Sequence, residues 1–105
     1  WTVRSVGHAI VRGASVVSII PVRGGNGELE RLGSQGDFVA PTLLQLENAL
    51  DACSHFESAV VTGDLWDVEG LPACAHCQPE RVARLRRINV TGTAEPRITC
   101  EACHA

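Results

Sequence analysis

No stretch of this sequence is apolar for long enough to cross a bilayer. The longest apolar run, SVVSIIP at 15–21, falls far short of the roughly 20 residues a spanning helix needs. A signal peptide, a low-complexity tract and any internal repeat beyond the cysteine pairs described below are also missing. Phosphate-loop signatures are absent: Arg23-Gly-Gly-Asn-Gly27 fits neither G-x-G-x-x-G nor the Walker pattern, and a tight turn accounts for its glycines. Positive charge is not in excess. Nine Lys and Arg stand against 12 Asp and Glu, the net charge is −3 and the sequence pI about 5.7, so no global field draws in nucleic acid. Methionine is missing altogether, and the chain opens on Trp1 in a stretch that already reads as helix. The expectation is a domain from a longer cytoplasmic protein, with no membrane partner.

What is present belongs to a globular protein. Of 105 residues, 45% are hydrophobic and 20% charged, which is too apolar and too weakly charged for a disordered chain. A chain of this length buries roughly 60–70% of its unfolded surface, enough for one modest core. Trp1, Val3, Val6, Ile10 and Val11 recur at helical spacing up to Gly13, a helix terminator. The β-branched run Val16–Ile20 follows, and its lack of alternation predicts a strand buried on both faces, as in a parallel sheet covered by helices. Asn26 caps a predicted short helix through Leu29 and Leu32 that stops at Gly33 or Gly36. Pro41 is then expected at a first helical position, opening a helix with Leu43, Leu44, Leu46, Leu50 and Cys53 on its apolar face. A second strand is expected at Ser58–Thr62, followed by Asp64 and Asp67 flanking Trp66. These two acids stand where α/β folds gather binding residues, and they fit an ordinary turn equally well.

Four of the five cysteines form two matched C-x-x-C pairs, Cys74/Cys77 and Cys100/Cys103, separated by residues 78–99. A turn of this kind lets two thiolates face one ion, and two such turns complete a tetrahedral set of four sulfurs. The spacing is close to the zinc pattern C-x2-C-x15–20-C-x2-C, while four thiolates ligate iron–sulfur clusters as well, so zinc and a cluster both remain open. Nothing in the chain indicates an oxidising compartment that would favour disulfides, and a redox dithiol would not need the second pair. His76 and His104 adjoin the pairs as candidate replacements for a thiolate or as outer hydrogen-bond donors. His8 and His55 read as surface residues, and Cys53 as a small buried apolar side chain. Between the pairs, Pro79–Asn89 reads as a helix with Val82, Leu85 and Ile88 as its stripe, pinned to the body by the metal. Arg81, Arg84, Arg86 and Arg87 make it locally basic. A phosphate-binding face is one reading, and a solvated face balanced by Glu80, Asp64, Asp67 and Glu69 is the preferred one, since no aromatic residues interleave the arginines.

The segments WTVRSVGHAIVRGASVVSIIPVRGGNGELERL, PTLLQLENAL, TGDLWDVE and CAHCQPERVARLRRINVTG, with CEAC at the end, together resemble the C-terminal region of a group of bacterial radical S-adenosylmethionine (Fe–S oxidoreductase-like) proteins. The resemblance implies βα units from the end of a partial (β/α) barrel over residues 1–70, followed by a small zinc-ribbon-like or knuckle-like four-cysteine module over 71–105. It also implies that S-adenosylmethionine and a [4Fe–4S] cluster belong to a full-length parent. The C-x-x-x-C-x-x-C motif that initiates such chemistry is absent here, so no catalytic residue carries over. What carries over is a substrate or cofactor rim of Arg23, Asn26, Asp64 and Asp67 at strand ends. The expected function is an accessory domain with a structural four-cysteine metal site and no catalysis of its own, its partner being the remainder of the enzyme. The alternative is a free-standing zinc-ribbon module that binds nucleic acid or protein through the Arg81–Arg87 helix.

Overall fold

The computed structural model describes residues 1–22, 31, 35–36 and 40–105. Among them the chain forms helix α1 (Thr2–Val11), strand β1 (Val16–Ile19), helix α2 (Leu43–Ala52), strand β2 (Val60–Gly63), a 3-10 turn at Val68–Gly70 and helix α3 (Gln78–Thr91). Helix α1 ends in a Schellman motif: the Gly13 N–H reaches Ile10 O and the Ala14 N–H reaches Ala9 O, with Gly13 at φ 105°. That turn leads the chain directly into β1.

The two strands pair in parallel, Val16 opposite Val60 through Ile19 opposite Gly63. Parallel pairing needs a crossover, and α2 lies within it. Period-two geometry divides the sheet into two faces. Val17, Ile19, Val61 and Gly63 share the face that meets the helices, where Leu46 and Leu50 side chains approach Gly63 and Ile19 and Val61 pack on the core. Val16, Ser18, Val60 and Thr62 share the opposite face, and there Val16 is 65% exposed. The expectation that β1 is buried on both faces is therefore corrected. The helices that pack on this sheet cover one face, and an uninterrupted β-branched run does not by itself bring a second layer.

Helix α2 starts at Leu43, two residues later than expected from Pro41, and this too is a correction. Thr42 is the cap: its hydroxyl accepts from the Gln45 N–H while the Gln45 side chain accepts from the Thr42 N–H, a reciprocal box that leaves Pro41 outside the helix. The core is one cluster of Leu43, Leu46, Leu50, Val68, Leu71, Val82, Leu85 and Ile88. It draws side chains from both sides of residue 70. The stripe Val82, Leu85 and Ile88 of α3 is buried as its spacing predicts. At the far end of that helix, Asn89 clamps β2. The Gly63 N–H donates to Asn89 Oδ1 at 3.0 Å and Asn89 Nδ2 donates to Gly63 O at 2.7 Å, so one amide satisfies both backbone groups of the strand's last residue. None of the helices among the described residues is long and apolar enough to cross a membrane.

Candidate metal centre

The first C-x-x-C turn, Cys74–Cys77, runs directly into α3, with Cys77 as the residue that caps it. The Gln78 N–H donates to Cys74 O at 3.0 Å, which closes the turn, and the aligned peptide dipoles of the helix favour negative charge at its first residues. The second turn, Cys100–Cys103, is closed by the His104 N–H on Cys100 O at 2.8 Å. His104 takes the left-handed conformation there, φ 58°. Both turns are made locally, which is why their spacing is readable in the sequence.

Folding brings the two turns together. The Sγ atoms of Cys74, Cys77, Cys100 and Cys103 all lie within 4.8 Å of one another, and these four cysteines are positioned to bind one metal ion. Cys77 Sγ and Cys103 Sγ are 3.8 Å apart. Tetrahedral coordination with metal–sulfur bonds of about 2.3 Å puts neighbouring sulfurs about 3.8 Å from each other, so that edge already has the size a zinc-like ion needs. Backbone N–H groups aim at the sulfurs. Donation from the Cys77 and His76 N–H groups lowers the Cys74 pKa, and donation led by the Cys103 N–H brings Cys100 down to about 7. The Ala105 N–H favours the Cys103 thiolate, but the proton shared with Cys100, together with burial, pushes that thiol up to about 11. A metal-free site thus holds protons as well as charge, and binding an ion expels them.

Beside the sulfurs lies a buried network of charged groups. Arg81 donates from Nε to Cys77 Sγ at 3.0 Å, from NH1 to Glu47 Oε1 at 2.7 Å and from NH2 to Ala105 O at 2.8 Å. Arg84, one turn on, donates to Glu47 Oε2, Asp51 Oδ1, Pro96 O and Glu95 O. Arg97 on the tail reaches Asn48 and Asp51. Glu47 is 0% exposed, Arg81 3% and Arg84 1%. The hydrogen bond to Cys77, followed by the one to Glu47, holds the Arg81 pKa above its ordinary value. The expectation of a solvated arginine face is corrected for these two residues. Their carboxylate partners come from α2, and only Arg86 and Arg87 remain at the surface, paired with Glu69 and Glu95.

The remaining candidates divide. Arg23 and Asn26, and the short helix expected after Asn26 apart from Arg31, lie outside the described residues. Asp64 stands at the carboxyl end of both strands, its N–H on Ile19 O at 2.8 Å and its Oδ1 accepting the Trp66 N–H at 3.1 Å. Asp67 is exposed, left-handed at φ 51°, and leads into the 3-10 turn. Both make turn contacts of the kind their sequence context allows. His8, His55, His76 and His104 are not buried. Cys53 is buried at the end of α2, away from the cluster, and burial raises its pKa. Sequence reasoning missed Glu47, Asp51 and Arg97. No family model, curated protein or solved structure matches this chain.

Proposed function

We propose that the chain is an accessory α/β module in which one zinc ion, held by Cys74, Cys77, Cys100 and Cys103, pins the C-terminal tail to the start of α3. The observation that carries this reading is the convergence of four sulfurs within 4.8 Å from two turns separated by residues 78–99. A single ion is favoured over an iron–sulfur cluster at the same cysteines because a cluster seats its thiolates on separate irons and spreads them further apart than the ligands of one ion. A closed set of four thiolates leaves no position for water or substrate, and that is the mark of a structural site. The same residues would hold the ion whatever surrounds the module.

The wider context we infer is the end of a radical S-adenosylmethionine enzyme. The resemblance in the sequence and the parallel pairing of β1 and β2, with one face uncovered, support it. In that setting Asp64 and Asp67, and Arg23 and Asn26 with them, contribute to a rim at the carboxyl ends of the strands. The module supplies no radical-initiating cysteines. The test of the metal reading is Cys77→Ser and Cys100→Ser, each measured for zinc content after reduction and gel filtration. Both are expected to lose stoichiometric zinc, while Cys53→Ala retains it; zinc retained by both serine variants would refute the assignment. Formation of 5′-deoxyadenosine from S-adenosylmethionine by this chain alone would refute the accessory role.

A further inference from the structure

Four thiolates around a divalent ion carry a net charge of −2, and a site of that charge inside a protein needs compensation. Backbone N–H groups of the two turns provide part of it. Among the described residues, the cationic side chain bonded to a cluster sulfur is Arg81, whose Nε stands 3.0 Å from Cys77 Sγ. Its other donors leave in two further directions, to Glu47 on α2 and to the main-chain oxygen of Ala105 beside the second turn. A guanidinium is planar and rigid, so three bonds to three chain segments fix its orientation, whereas an ammonium could satisfy them only as a mobile point charge. Arg84 offers the internal contrast. It is equally buried on the same helix and shares Glu47, yet its partners are oxygens.

We propose that Arg81 is the positioning residue of the metal centre: its Nε–H holds Cys77 Sγ in ligand geometry and offsets the thiolate charge, while Glu47 holds Arg81. The inference rests on the metal reading above and adds to it the bonded link from Cys77 through Arg81 to Glu47, which joins the metal centre to α2. With the ion bound, Cys77 is a fixed thiolate and all three donors of Arg81 have partners. Arg81 acts through Cys77 and contacts no metal itself.

The experiment compares Arg81→Lys and Arg84→Lys in the full chain, loaded with Co2+ for spectroscopy and with Zn2+ for competition against a chelating dye. Arg81→Lys is expected to lower zinc affinity by about tenfold or more, the usual effect of removing an outer-shell partner, and to shift the sulfur-to-cobalt charge-transfer band. Arg84→Lys is expected to lower the unfolding temperature with that band unmoved. Equal bands in wild type and Arg81→Lys, or equal shifts in both variants, would overturn the proposal. The wild-type chain gives a second readout that needs no substitution. With 113Cd in the site, a through-hydrogen-bond coupling between cadmium and the Arg81 Nε proton is expected, and its absence would equally overturn the proposal. A wild-type chain that binds none of the three metals would overturn the metal reading itself, which separates the two failures.

Discussion

Cys53 and the clustered cysteines carry the same functional group in different surroundings. Burial without a compensating donor raises the Cys53 pKa, while backbone N–H groups lower those of Cys74 and Cys100. The thiolate is the reactive form, so at neutral pH a lowered pKa means faster alkylation and a raised one slower. With the metal bound, none of the five is expected to react quickly with iodoacetamide. After chelation Cys74 and Cys100 should be modified first, Cys103 more slowly and Cys53 only on unfolding, which peptide mapping by mass spectrometry resolves; early labelling of Cys53 in the chelated native protein would contradict the assignment. The four cluster residues were legible in the sequence because each pair is a local turn, complete within four residues. Glu47 was not. It occupies a position in α2 where periodicity asks for an apolar side chain, and only the arrival of Arg81 and Arg84 from 34 and 37 residues further along makes its burial tolerable.

At the scale of elements, local signals placed the helices well and the strands less completely. The Val82, Leu85 and Ile88 stripe repeats at three-residue intervals and is buried as read, and Gly13 ends α1 through backbone geometry that its neighbours do not alter. The start of α2 depended on a competition between two capping signals: Pro41 is suited to a first helical position, but the Thr42–Gln45 pair satisfies two backbone N–H groups with side chains. Thr42→Ala should cost about 1 kcal/mol, seen as a lower urea midpoint with an unchanged slope. A change near zero would mean that the cap is not holding the helix end. For β1 the run of β-branched residues identified a strand but could not report how many layers cover it, because that depends on partners from elsewhere in the fold. Asn89 escaped notice for a similar reason. A polar residue near a helix end gives no sign that its amide will close the end of a distant strand.

At the scale of the whole molecule, the tail sets what a metal bound at the four cysteines would have to do. Residues 93–105 contain no helix or strand and are held by Arg84, Arg87, Arg97 and the second cysteine turn. A structural zinc contributes on the order of 10 kcal/mol of folding free energy at neutral pH, comparable with the entire stability of a small domain. In this account the ion decides whether the tail is folded, and the apolar cluster of α2, α3 and the sheet is the part that persists in its absence. The most direct test is elemental analysis, with an absorption spectrum, of the reduced chain purified without oxygen. One zinc per chain and a colourless solution is the predicted result. A brown solution containing iron and inorganic sulfide, or a folded chain with no metal and an ordered tail, would contradict it.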